Sequence, residues 1–250
     1  MRAWWTLVRR ELGAYFISWT GYVVIGVVVF LFGLCFALLL QALNGEKTDQ
    51  PIMELFYNTY YFWLILLLAS PVITMRSFAQ EKFSGTFETL MTTPVSDPQV
   101  VLAKFTGAMV FYLLTWTPLL ACIFVVRHFS NDPGALDVGT LASTFLGITL
   151  LGGLYTSLGC FASSLTRSQI IAAMFSLALG ISLFLLSFIS YAMAGATGWT
   201  AQVFAHVSLI EHMRDFSRGV VDLRPLVFYL SLTGLFLFLT LKAVESRRWK

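Results

Sequence analysis

The chain has 250 residues, 58% of them hydrophobic and only 12% charged, with a mean hydropathy of +0.79. That balance excludes a soluble globular or disordered class, and a formal net charge of +3 without a basic patch gives no reason to expect a nucleic-acid partner. The three cysteines, Cys35, Cys122 and Cys160, all fall inside apolar runs and imply neither a disulfide framework nor a metal cluster.

Charge-free runs from Leu12 to Gly45, Leu55 to Met75, Phe105 to Val126, Val138 to Thr166, Ser168 to Ile210 and Pro225 to Leu241 can each supply the roughly 20 apolar residues of a bilayer-spanning helix. We therefore expect an all-α integral membrane protein with six spans in one transmembrane domain, residues 1–250. With the N-terminus in the cytosol, Arg2, Arg9, Arg10, Arg76, Lys82, Lys104, Arg167, Lys242, Arg247, Arg248 and Lys250 share the inner side. Only Lys47, Arg127, Arg214, Arg218 and Arg224 are left outside. The asymmetry predicts that both termini are cytosolic.

In chain order, residues 2 to 17 place Trp4, Trp5, Val8, Leu12, Tyr15 and Phe16 at near-helical spacing, with Arg9, Arg10 and Glu11 mostly between them. This suits an amphipathic helix in the inner interface. Span one runs from about Trp19 to Leu43. Span two starts near Leu55 behind Phe56, Tyr57, Tyr60, Tyr61, Phe62 and Trp63, which read as an interfacial aromatic belt. Pro71 predicts a kink near its inner end.

The stretch from Arg76 to Phe105 is the long charged insertion of the first half. Gly85 is a helix stop and Pro94 ends the next helical turn. Between them Phe87, Leu90 and Met91 fall at i, i+3 and i+4. This short helix is too small to fold alone and must pack on something. Ser96 followed by Asp97, Pro98 and Gln99 reads as a capping box that starts a new helix at Asp97, running through Lys104 into span three. The short cytosolic helix is thus braced between two membrane-anchored ones.

Span four is rich in small residues, Gly139, Gly147, Gly152, Gly153, Ser157 and Gly159, which permit close helix approach in lipid. The turn from Ser163 to Gln169 makes spans four and five a tight hairpin. A fifth span of about Gln169 to Ala194 leaves the outer segment Trp199 to Gly219, partly apolar yet carrying His206, Glu211, His212, Arg214, Asp215 and Arg218. Short re-entrant or interfacial helices fit it better than a solvated loop. Span six ends on a basic flank, K-A-V-E-S-R-R-W-K.

No G-x-x-x-x-G-K-S/T loop, H-E-x-x-H or G-x-S-x-G occurs. No ionisable residue lies clearly mid-span, as an ion-coupled carrier would require. If the protein moves a solute, the energy is expected from another chain acting at the cytosolic face, and no cofactor is expected on this one.

The pattern E-K-F-S-G-T-F-E-T-L-M-T-T-P-V-S, from Glu81 to Ser96, with Lys104 following, resembles the E-x-x-x-G-T-x-E-x-L-x-x-x-P-V/I-S segment of ABC-2 type transporter permeases. The interfacial first helix, the six spans and H-M-R-D-F-S-R-G-V-V-D-L-R-P (His212 to Pro225) resemble the gliding-motility and multidrug-type subgroup. The resemblance implies an exporter's membrane subunit in the bacterial inner membrane. It would pair with a second permease copy or paralogue and with ABC ATPase subunits that hold ATP and Mg. It also implies that Glu81, Gly85, Thr86, Phe87, Glu88, Leu90, Met91, Thr93 and Pro94 form a coupling helix docked on the ATPase. The segment with His206, Glu211, His212, Arg214 and Arg218 would be an outer gate. The competing readings are an intramembrane enzyme or assembly factor using His206, Glu211 and His212, and a passive scaffold.

Overall fold

The computed structural model describes residues 2–43, 56, 60–87, 95–130, 138–192 and 206–246. Among these, helices follow one another as α1 (Arg2–Ile17), α2 (Trp19–Leu43), α3 (Tyr60–Thr74), α4 (Ala79–Ser84), α5 (Asp97–Ser130), α6 (Val138–Leu165), α7 (Gln169–Ala192), α8 (Leu209–Ser217) and α9 (Leu223–Glu245). Among the described residues six segments are long and apolar enough to cross a membrane: α2, α3 with α4, α5, α6, α7 and α9. Helices meet what a bilayer demands, because each backbone N–H and C=O finds its partner within its own segment.

The bundle is organised around α6. Most of its apolar window is enclosed by the protein, whereas α2, α7 and α9 turn most of theirs outward; α6 packs against α3, α5, α7, α8 and α9. Its small residues allow this. A Cβ built on Gly152 would stand 2.1 Å from Tyr112 Cε1 of α5, so the ring lies directly on the α6 backbone. Thr166 and Ser168 flank the only break between α6 and α7, and the expected tight hairpin forms there.

One expectation needs correction. Three rings of the aromatic cluster at the start of span two do not form a belt facing lipid. Phe56, Phe62 and Trp63 are buried, with Phe62 edge to face on Trp63 at 5.1 Å. Phe32 of α2 meets Trp116 of α5 at 5.1 Å and Trp63 meets Phe184 of α7 at 4.9 Å. Aromatic pairs gain about 0.5–1.5 kcal/mol beyond the area they bury, so helices crossing at this level collect the rings between them. Tyr57 lies outside the described residues.

Pro71 lies inside α3, and the helix ends three residues later, at Thr74. Ser163 of α6 explains the position. Its Oγ accepts hydrogen bonds from the backbone N–H groups of Phe78 and Ala79, both at 3.0 Å, and donates to the Met75 carbonyl at 3.0 Å. One hydroxyl at full capacity replaces the helical partners that the turn forfeits.

Candidate functional site

The segment that leaves the bundle after span two is held by charge. Lys104 of α5 lies at 3.0 Å from Glu11 of α1 and 2.9 Å from Glu81 of α4, and Arg10 of α1 lies at 2.9 and 2.8 Å from the same two carboxylates. The four groups close a square of alternating sign with no net charge. Lys104 has 2% of its side chain exposed, the carboxylates are mostly buried and Arg10 is half exposed. The ammonium also sits over the Phe78 ring, 5.4 Å from its centre. Burial works to raise the Glu11 carboxyl, but Lys104 and Arg10 outweigh it and hold it below the ordinary carboxylate range.

α1 reaches this position by packing along α5. Gly107 of α5 admits it: a Cβ there would stand 2.9 Å from Glu11 Cβ. Tyr15 fixes the register, donating from its hydroxyl to the Ile73 carbonyl at 2.9 Å and stacking on Phe111 at 4.5 Å. The expected amphipathic helix is therefore clamped to spans two and three by its polar face.

α4 then ends at Gly85, whose φ of +74° is the left-handed cap conformation that glycine adopts without cost. Thr86 is exposed and its hydroxyl lies 2.8 Å from that of Ser84. Phe87 turns the other way. It is buried with Phe78, Val101, Cys160 and Val244, and the Lys82 ammonium stands 5.3 Å from the centre of its ring. Lys82 also donates to the Ser164 carbonyl. Phe83, which the motif does not single out, is 79% exposed two residues before Gly85. Glu88, Leu90, Met91, Thr93 and Pro94 lie outside the described residues. The chain is picked up again at Val95, and α5 starts at Asp97, with the Ser96 N–H donating to Gln99 Oε1 at 3.4 Å.

At the opposite end of the bundle, α8 carries the other candidate residues. Ser208 caps it, accepting from the Glu211 N–H at 3.4 Å, and Ser187 of α7 accepts from the Leu209 N–H at 2.9 Å. Ser143 of α6 donates to the Phe216 carbonyl at 2.6 Å. His212 is buried edge-on between Phe228 and Tyr229, at 5.5 and 5.6 Å. Burial, with a smaller push from His206, lowers its pKa to about 4 against a weak opposing pull from Asp222. His206, Arg214 and Arg218 are exposed, whereas His212 is buried. Among the described residues no group of three His, Cys, Asp or Glu is placed to hold a metal ion.

A family model described as ABC-2 family transporter protein matches residues 41–241. The chain belongs to this family. The match takes in the spans from two to six, the Arg76–Phe105 insertion and α8. No curated protein matches at a significant level. For an ABC-2 family transporter the two ends just described have different characters: one is a charge-locked junction, the other a short helix seated on α6.

The junction is the part that sequence reasoning missed. Glu81 and Lys104 were both marked by the motif, but their partners Arg10 and Glu11 precede the matched region. A signal was present in Glu11, an acid placed among the apolar residues of an otherwise basic helix.

Proposed function

We propose that this chain is the membrane-spanning subunit of an ATP-driven exporter, with both termini in the cytosol of a bacterium and the polypeptide in its inner membrane. A separate ABC ATPase would bind and hydrolyse ATP with Mg, and a second permease copy or paralogue would complete the translocation pathway. The observation that carries this reading is the charge-locked junction. The segment between Gly85 and Asp97 is flanked on one side by Glu81 and on the other by Lys104, which meet each other at 2.9 Å. A body docked on that segment moves α1, span two and span three together.

The residues divide the work. Phe83 and Thr86 face outward for contact, and the docking role proposed for Glu88, Leu90, Met91, Thr93 and Pro94 rests on the sequence motif. Phe87 anchors the start of this segment to the chain's own core, and Gly85 caps α4 before it. At the far end α8, with Glu211, Arg214 and Arg218, forms the outer gate.

Co-purification tests this reading. A P-loop ATPase is expected to come down with the tagged full-length chain, and Phe83→Ala combined with Glu88→Ala and Leu90→Ala is expected to abolish both the complex and the membrane-stimulated ATP hydrolysis. A complex and an ATPase rate unchanged by all three substitutions would overturn the docking assignment.

A further inference from the structure

Arg10 and Lys104 each have two carboxylates, but Arg76 has none among the described residues. Its Nε donates to Gln80 Oε1 at 2.8 Å, and its Nη1 donates to the Ser18 hydroxyl at 2.8 Å and to the Thr20 hydroxyl. All three acceptors are neutral, and Nη2 makes no hydrogen bond to any described residue. The guanidinium lines a recess of about 290 Å³ between α1, the turn after α3, α4 and α5. The recess wall also carries Arg10, Glu11, Glu81 and Lys104, which cancel one another, together with the hydroxyl groups of Ser84 and Thr86. The recess therefore has one net positive charge, and that charge belongs to Arg76.

What surrounds Ser18, a hydrogen-bond partner of Arg76, indicates the occupant. Ser18, which holds Arg76, is the single break between α1 and α2. Its neighbours Ile17 and Trp19 are both 87% exposed, and Tyr22 and Phe16 continue the apolar surface on either side. An uncompensated guanidinium beside exposed aliphatic and aromatic side chains, where an interfacial helix turns into a span, matches a molecule with an anionic head and apolar tails. A freely diffusing anion would have no use for the apolar border.

We propose that this recess is a binding site for an anionic phospholipid, with its phosphate on Arg76 and its acyl chains against Ile17, Trp19 and Tyr22. Nη2 keeps both of its N–H groups for phosphate oxygens while Nε and Nη1 stay on Gln80, Ser18 and Thr20. Because Arg76 also holds Ser18 and Gln80, the lipid bridges the neck of α1 to the segment that leads into α4. The site stands without the exporter reading; only a consequence for ATP hydrolysis would rest on it.

The test needs no ATPase, so its failure and that of the exporter reading are distinguishable. Full-length protein, delipidated in detergent, is titrated with phosphatidylglycerol or phosphatidylcholine and bound lipid is counted by native mass spectrometry. Phosphatidylglycerol is expected to bind preferentially, and Arg76→Gln, which keeps hydrogen-bonding capacity toward Ser18 and Thr20, is expected to weaken it about tenfold or more while leaving phosphatidylcholine unchanged. Thr86→Glu, at an exposed position on the rim, is expected to remove the same preference and decides the matter if the Arg76 variant does not fold. Retention of the wild-type preference in Thr86→Glu, or in a folded Arg76→Gln, would overturn the proposal. So would displacement of phosphatidylglycerol by millimolar inorganic phosphate, which would show a free-anion site.

Discussion

Replacing Lys104 by methionine should be among the most damaging single changes in the chain, and its repair should be more informative than its damage. The substitution keeps the length of the side chain but leaves Glu11 and Glu81 facing each other with only Arg10 between them. Two contacts of 3.0 and 2.9 Å are lost at a site where the ammonium is 2% exposed, so solvent screens little of the effect. Each contact is worth several kcal/mol before desolvation at an effective dielectric constant of about 20. Removing one partner of such a buried set costs about 3–5 kcal/mol, because the remaining charges stay desolvated. In a chain of this size that corresponds to a fall in melting temperature of roughly 6–20 °C. Intrinsic fluorescence from the seven tryptophans, followed on heating in nanodiscs, reads it. Adding Glu81→Gln restores one cation to one anion, so the double variant should melt above Lys104→Met alone. The deficit of Lys104→Met should also shrink at low pH, where protonation relieves the stranded carboxylates. A loss under about 1 kcal/mol, or a double variant no better than the sum of its parts, would refute the closed square.

Three further outcomes can be checked in the same way. Gly152→Ala drives a methyl group into the Tyr112 ring and should cost about 3 kcal/mol or more. Its neighbour Gly153→Ala meets only Thr233 at 3.6 Å and should stay within about 0.5 kcal/mol of wild type in the same melting assay. Ser163→Ala strands two backbone N–H groups and the Met75 carbonyl, and should destabilise by about 2–4 kcal/mol, with accelerated hydrogen exchange confined first to residues 75–84. His212 has its pKa lowered when folded, so the neutral ring contributes stability that is fully present above pH ~6.5 and is lost as pH falls toward about 4. His212→Phe should remove that part of the decline and be close to neutral at pH 8.

The spans were readable from the sequence because charge is expensive in lipid, and its absence from long runs is a strong signal. The start of α5 was readable to the residue, since the pairing of Ser96 with Gln99 is local. The charge square was not, because Arg10 and Glu81 are 71 positions apart and Glu11 and Lys104 are 93 apart, and no local rule couples such distances. The aromatic cluster failed for a different reason: rings that face lipid and rings that face each other have the same composition and spacing. For Phe87 the helical stripe showed that a partner was needed, but the partner in the structure is this chain's own Phe78 and Val244.

The helix α6 fastens something at each end. Ser163 holds the turn after span two, and Ser143 holds the carbonyl of Phe216 in α8. The two serines are twenty positions apart on one uninterrupted helix, or about 30 Å. α6 therefore acts as a stiff lever between them. A tilt of about 5° pivoting at Ser163 carries Ser143 by about 2.6 Å, enough to break a hydrogen bond that is 2.6 Å long at rest.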